Sequence, residues 1–421
     1  MIKVRMHIYL AALLVGACCG TWELAQGEDW PAFRGGLAAG VLCGGEDIPP
    51  VLSPENQLLW KAPLPGRGPS SPIVVKDKVI VTAAVGYRQN ELHVLCFDAK
   101  TGKQEWDFRF WATGSTVCNP FGGVAASTPV SDGRRIVALF SSNDLVCLDM
   151  EGRPLWFRGL GFERPYLRND VGMASSPVIE GDVVIVQAES LLDAIVCGLD
   201  LKTGQTVWLI DRPKQALWCT PLVVRCPSPS ERTPETFVLL QSRKDFQAVC
   251  PYTGEVAFAY DHWCDTVSSA AAYGDLVALP AAGIHALRLS SSPARFEQLW
   301  ISDRLRCGNT SPLVWNNKIY LVKSPNIFAC ADGKTGDILR QVRLGGSFWA
   351  SPLLVGRYIY AVNYEGTVFV MALDDAGLPS LAGQWDLESG VLASPASDGR
   401  QLYFRTNQFL YAFRLGDSGK E

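Results

Sequence analysis

Histidine is scarce in this chain, with four in 421 residues and one of them, His7, just before the N-terminal apolar run. That leaves few soft ligands for a metal, and no metal-binding residues are assigned. The best local cluster, His262-Trp263-Cys264-Asp265, reads as a polar loop. Positive charge is not in excess either: 38 Lys and Arg stand against 42 Asp and Glu, for a net charge of -4. A phosphate-neutralising stripe is therefore absent and nucleic acid is not an expected partner. No apolar run is long enough to span a bilayer, since the longest extends only from Ile8 to Ala17. The Cys-x-x-Cys-His haem sequence is missing, and the only adjacent cysteine pair, Cys18-Cys19, lies beside that run.

What is present describes an exported globular chain. Hydrophobic residues make up 48% and charged residues 19%, which excludes disorder as a general description. Residues 1–27 read as a signal peptide: Lys3 and Arg5, the apolar run, then Ala25-Gln26-Gly27 with small residues where signal peptidase cuts. A lipoprotein signal is the competing reading, with Val15-Gly16-Ala17 before a lipidated Cys18. Either one predicts a periplasmic or extracellular location. The 39 glycines and 26 prolines, spread along the chain, indicate many short strands joined by tight turns.

Self-similarity then sets the architecture. A small residue, Ser or Thr, and Pro recur at Ser70-Ser71-Pro72, Ser127-Thr128-Pro129, Ser175-Ser176-Pro177, Cys219-Thr220-Pro221, Thr310-Ser311-Pro312, Ala350-Ser351-Pro352 and Ala393-Ser394-Pro395. Ser268-Ser269-Ala270 is the eighth, with its proline lost. Each triplet opens three apolar runs separated by turns. The third run carries a small residue at Cys96, Cys147, Gly198, Ala248, Ala286, Cys330, Ala372 and Ala412, followed every time by an apolar one. Two columns thus count eight units. Most units continue through a glycine turn into a fourth strand, as in Asp98-Ala99-Lys100-Thr101-Gly102-Lys103-Gln104-Glu105-Trp106. The last unit stops near Leu415 after three strands, whereas Gln57-Leu58-Leu59-Trp60 is an orphan fourth strand near the other end. Pairing the two closes a ring without exposed edges. The expected fold is all-β: an eight-bladed β-propeller over 56–415 with four-stranded antiparallel blades, an N-terminal extension at 28–55 and a tail at 416–421.

These motifs resemble the PQQ-repeat family, whose blades read small-Ser-Pro and then A-x-D-x-x-T-G-K-x-x-W, and the resemblance covers Trp60 to about Leu415. Asp29-Trp30-Pro31-Ala32-Phe33-Arg34-Gly35 is similar to the opening of secreted bacterial members. The family implies either of two functions, because fold does not choose between them. One branch holds alcohol and sugar dehydrogenases with pyrroloquinoline quinone (PQQ) and calcium at the ring mouth. The other holds cofactor-free propellers, such as the outer-membrane protein assembly lipoprotein, that bind proteins. The dehydrogenase branch uses a vicinal disulfide against the quinone, and Cys18-Cys19 cannot supply it from the leader. The leading expectation is therefore a monomeric, non-catalytic scaffold of the cell envelope with a protein or peptide partner, no catalytic residues and no cofactor. A PQQ- and calcium-dependent dehydrogenase with a diverged site is the alternative: Trp349 or Trp218 would stack on the quinone, and Asp170, Asp265 or Glu388 would hold calcium or act as base. A hydrolase or lyase using mouth acids is a third class, which no spacing singles out.

Trp60, Trp106, Trp156, Trp208, Trp300 and Trp385 recur once per blade and are assigned to blade docking. Burying an indole of about 150–250 Å² stabilises by at most about 4–6 kcal/mol. Phe258 and Arg340 take the same column, which predicts weaker docking there. Cys96, Cys147 and Cys330 replace alanine in the small column and are expected as free thiols, while Cys118, Cys264 and Cys307 are placed where they could pair across the mouth. The loops entering the inner strands supply the candidate ligand or partner face: Arg67, Asn119, Arg168, Asp170, Trp218, Trp263, Asp265, Arg306, Asn309, Trp349 and Glu388. Both charge signs and several aromatics suit a small polar ligand or a peptide. Asp170 with Arg168 and Asp265 with Arg306 are candidate exposed ion pairs, and the polar, proline-rich stretch 227–234 reads as a mobile hairpin extension.

Overall fold

The computed structural model describes residues 29–36, 40–42, 49–52, 54–119, 121–226, 235–291 and 294–416. The leader, Cys18 and the 227–234 stretch lie outside the described residues. Eight sheets, each with four antiparallel strands, form the eight blades of a propeller, and one of them carries a short fifth, parallel strand, Val41–Leu42. In chain order they run Ile73–Trp111, Val130–Gly159, Val178–Asp211, Leu222–Tyr260, Ala271–Ser302, Leu313–Arg343 and Leu353–Asp386 for blades 1 to 7. Blade 8 combines three strands within 396–414 with Leu58–Pro63, which pairs antiparallel to Phe409–Arg414 in the register Trp60↔Ala412. The ring is closed by the N-terminal strand, as the repeat count requires.

Burial follows position in the blade. The two middle strands of blade 1, Lys78–Val85 and Glu91–Asp98, are buried at every residue but their ends, because neighbouring blades cover both faces. This is why they read as continuous apolar runs rather than alternating ones. The outermost strand, Gln104–Trp111, is half exposed. Innermost strands are short because eight of them crowd one axis.

The small column has a direct cause. Cys96 stands opposite Trp106, Cys147 opposite Trp156, Gly198 opposite Trp208 and Ala286 opposite Trp300 in the strand register. A Cβ on Gly198 would lie 2.3 Å from the Trp208 indole, so the ring itself demands a small partner. Each indole also reaches the next blade: Nε1 donates from Trp60 to the Ala99 carbonyl, from Trp106 to Met150, from Trp156 to Leu201, from Trp208 to Pro251 and from Trp300 to Gly333. The turn glycine of that next blade lies under the ring. Gly102 has φ +69°, and a Cβ there would come within 2.4 Å of Trp60.

Three positions depart from this pattern. Phe258 has no N–H to give and packs edge-on against Phe237 and Phe296 at 5.1 and 4.9 Å. Arg340 is exposed. Trp385 stands opposite Val368 instead of the small residue Ala372, and its Nε1 donates to the Val51 carbonyl of the N-terminal extension. Blade 8 takes its fourth strand from Leu58–Pro63, and on this side Val51 supplies the carbonyl that a fourth-strand turn gives elsewhere.

Trp106→Ala is expected to cost about 3–5 kcal/mol in urea denaturation, through the cavity beside Gly152 and the lost bond to Met150. Arg340→Ala, at the same column but exposed, should stay within about 0.5 kcal/mol of the parent.

Candidate functional site

The Ser or Thr of each triplet meets its counterpart in the next blade. The backbone N–H of Ser71 donates to Thr128 Oγ1, Thr128 to Ser176 Oγ, Ser176 to Thr220 Oγ1 and Thr220 to Ser269 Oγ, at 2.9–3.1 Å. The circuit continues through Ser311, Ser351 and Ser394 and returns to Ser71 Oγ at 2.9–3.0 Å. Eight amides and eight hydroxyls thus form an unbroken ring around the axis.

Just beyond this ring, the N-terminal extension crosses the channel. Trp30 exchanges two backbone hydrogen bonds with Val74 of blade 1, and the Ser131 amide of blade 2 donates to Pro31 O. The buried Arg34 guanidinium donates to Ala270 O of blade 5 and Pro312 O of blade 6. Val41–Leu42 then runs parallel to the innermost strand of blade 7, opposite Leu354 and Val355. All these contacts lie further along the inner strands than the ring residues, so the segment blocks one end of the channel. The mouth becomes a blind cup with Phe33 in its wall.

That cup has a volume of about 400 Å³. All eight ring hydroxyls line it, together with Phe33, Phe121, Trp218 and Trp349, the apolar Met173, Val267 and Leu392, and Asn119 and Asn309 at the polar edge. Of the eleven loop residues singled out in the sequence, Asn119, Trp218, Asn309 and Trp349 converge here. Trp218 is fixed by its Nε1 donating to Gly172 O at 2.7 Å, and Trp349 lies nearly parallel to Phe121 at 6.0 Å.

The other seven residues do not converge. Glu388 pairs with Lys61 on the ring's outer side, and Arg306 donates to the Ala282 carbonyl. The Asp265 carboxylate accepts the Val267 amide and makes no ion pair with Arg306. Arg168 and Asp170 are exposed and form no mutual ion pair among the described residues; Arg67 and Trp263 are exposed outside the cup. The proposed thiol pairing is likewise not seen, because Cys118, Cys264 and Cys307 are free. Burial pushes Cys264 up to about 12 and raises Cys307 further, leaving them inert as nucleophiles.

Sequence reasoning passed over a buried polar relay beside the cup. Glu189 and Arg212 pair at 3.0 Å, each side chain 1% exposed, and Arg212 also donates to Gln247 Oε1 and Gln241 O. Burial lowers both Arg34 and Arg405 to about 9, still cationic at neutral pH. Arg405 spends one guanidinium nitrogen on Ser70, while its Nε and Nη2 have no acceptor among the described residues.

The quinone and calcium of the dehydrogenase branch can be tested against this donor set. Calcium takes six to eight oxygens with carboxylates prominent among them. Among the described residues no carboxylate lines the cup: Asp170 is exposed outside it, Asp265 accepts the Val267 amide and Glu388 pairs with Lys61. The residues present do not fit that pair.

Two outcomes are expected. Thr128→Val removes the acceptor of the buried Ser71 amide and should cost about 1–3 kcal/mol by chemical denaturation. Burial, with His262 alongside, holds the His285 imidazole down at about 4. The unfolded chain keeps an ordinary value near 6.5 and so takes up the proton first. Stability is therefore expected to fall as pH drops from about 6.5 to 4, and His285→Phe should flatten that profile in pH-dependent melting.

The PQQ_2 family model, described as "Outer membrane protein assembly factor BamB", matches residues 51–165 and 164–375. The protein of that name from Burkholderia pseudomallei strain K96243 is 28% identical, over 46% of this chain, and the match spans 58% of that protein's length. Among solved structures, BamB from Moraxella catarrhalis superposes with a TM-score of 0.63 at 14% identity, covering 86% of this chain and 98% of its own. A europium-containing methanol dehydrogenase gives 0.66 at 12% identity, covering 92% and 98% respectively. At such identities the superpositions speak for the fold alone, but the family model accounts for well over half of the sequence. This chain belongs to the PQQ-repeat family described as outer membrane protein assembly factor BamB.

Proposed function

We propose that this protein is a non-catalytic scaffold of the cell envelope that holds a protein or peptide partner on its mouth-side loops. The observation carrying this reading is an exposed apolar group on the loops of blades 2 and 3. Phe162 is 83% exposed, Tyr166 68%, Leu191 71% and Leu192 51%. The two loops are locked together, since the Arg164 fork grips Asp193 at 2.7 and 2.8 Å and Ser190 Oγ donates to Tyr166 O. Exposed Arg168 and Asp170 flank the group. Apolar anchors on a rigid support with a charged rim suit a protein interface, and no solvation argument favours leaving them bare.

The family's description as an assembly factor supports the same class. Export belongs to this reading, with the leader at 1–27 cleaved or Cys18 carrying a lipid, and among the described residues no helix is long and apolar enough to cross a membrane. The quinone alternative is disfavoured by the uncharged cup.

Replacing Phe162, Tyr166, Leu191 and Leu192 together by serine should abolish co-purification of the envelope partner while leaving the melting temperature within a few degrees of the parent. Retention of every partner by a folded variant would refute the proposed face. Stoichiometric binding of PQQ with calcium, accompanied by dye-linked alcohol oxidation, would refute the non-catalytic reading itself.

A further inference from the structure

The cup is chemically distinct from the apolar rim outside it. Each ring oxygen accepts one backbone amide, which leaves its O–H proton and a second lone pair to offer. None of the eight hydroxyls donates to an acceptor among the described residues, and all line the cavity while being nine-tenths or more buried. The base of the cup is therefore a circle of hydrogen-bond donors.

Indole and phenyl rings stand over this circle. Trp218 is immobilised by its bond to Gly172, and Trp349 is backed by Phe121. Asn119 keeps its amide N–H groups for a ligand, because its Oδ1 is taken by the Phe121 amide. Among the described residues, no Asp, Glu, Lys, Arg or His lines the cavity.

Three ligand classes are disfavoured by this combination. A fully charged ligand would lose its hydration without gaining a counter-charge. A purely apolar one would leave the donor circle unsatisfied. A cation drawn to the aromatic faces would find no carboxylate among the described lining residues to replace its hydration. What satisfies the whole lining is a neutral molecule with flat C–H faces for the indoles and oxygen acceptors around its edge. A sugar ring has this form, and about 400 Å³ falls within the roughly 300–1,000 Å³ of pockets that enclose small ligands.

We propose that the mouth of the propeller is a binding site for a neutral saccharide unit of one or two rings, stacked on Trp218 and Trp349 and hydrogen-bonded to the Ser/Thr circle. This goes beyond the scaffold role and does not rest on it, since the partner face and the cup share no residue.

The experiment is calorimetric titration and tryptophan fluorescence of the mature protein with maltose, cellobiose and N,N′-diacetylchitobiose, using glucuronate, glucosamine and choline as charged probes. At least one neutral disaccharide is expected to bind one-to-one with a Kd of about 1 mM or tighter, and every charged probe at least about tenfold more weakly. Trp218→Ala should weaken binding about tenfold or more, with Trp218→Phe intermediate and Trp263→Ala, outside the cup, unchanged. Circular dichroism and melting establish that each variant is folded. The proposal is overturned if no neutral probe binds at about 50 mM, if a charged probe binds as tightly, or if folded Trp218→Ala binds like the parent. Serine substitution at Phe162, Tyr166, Leu191 and Leu192 should leave saccharide binding intact, so failure of the partner reading would be separately visible.

Discussion

The amide-to-hydroxyl circuit around the axis is the constraint on which the rest of the propeller depends. Innermost strands of two to five residues make few ladder bonds of their own, and eight of them must meet at one radius. A side-chain oxygen two residues before the strand start lets each blade accept a backbone N–H from its predecessor without lengthening the strand. Every such bond contributes only about 0.5–1.5 kcal/mol net, but an amide left unpaired there costs more than the bond yields. Proline after the hydroxyl residue follows from the same constraint, since it removes an N–H at a position with no strand on its inner side. The exception supports this account. In the triplet that lacks proline, the Ala270 amide is present and donates to Gln241 Oε1 at 2.6 Å. The same Gln241 side chain donates to Asp265 O and Ser268 O, so one glutamine replaces a proline and ties blade 4 to blade 5.

A second layer, further from the axis, sets the spacing between blades. Indole, small residue and turn glycine form one unit: the indole covers the small residue in its own blade and the glycine of the next, then donates to a carbonyl there. The small residue persists where the indole does not, as Cys330 still stands opposite Arg340 and Ala248 opposite Phe258. Blade 6 carries Arg340 in place of the aromatic, and there the buried Tyr320 hydroxyl donates to Gly377 O of blade 7 instead. Blade 8 has no such turn, and the extension near Val51 takes over. Gln57 reinforces this by donating to Arg414 O and Gly416 O, fastening the closing strand to the chain's last described residues.

The periodic part of this design was legible in the sequence and the aperiodic part was not. Eight triplets and eight small residues gave blade number, strand order and closure, because each reports a contact repeated at every blade. The cup is different. Its aromatics come from loops of unequal length, and only Asn119, Trp218, Asn309 and Trp349 among the eleven named residues meet in it. Asp265 looked like a ligand but caps a local turn, and Glu388 looked like a mouth acid but pairs with Lys61 of the outermost strand of blade 8. Phe121 was missed because its loop carries it from blade 2 across to Trp349 of blade 7, a reach that sequence spacing does not encode. The ring hydroxyls had been counted as a fold signature, and nothing in their spacing distinguished a structural acceptor from a cavity wall.

The least legible element also has the largest functional consequence. Residues 29–42 share no repeat with the blades, and their Trp-Pro-x-Phe-Arg-Gly stretch marked only a family likeness. In the structure this stretch makes specific hydrogen bonds to the innermost strands of five blades, on the side of the ring away from the cup. Gly35, at φ +85°, turns the chain beneath the Trp30 ring, where a Cβ would lie 2.9 Å away, and so directs Arg34 toward blades 5 and 6. The crossing occupies the axis on the side of the hydroxyl circle away from the cup, with contacts to blades on both sides of it. With it, the hydroxyl circle becomes the base of a cup reached from one side, where aromatic rings exclude part of the solvent. Hydrogen bonds made there are correspondingly stronger. The N-terminal segment therefore acts on binding chemistry through solvent access, although among its described residues Phe33 alone lines the cup.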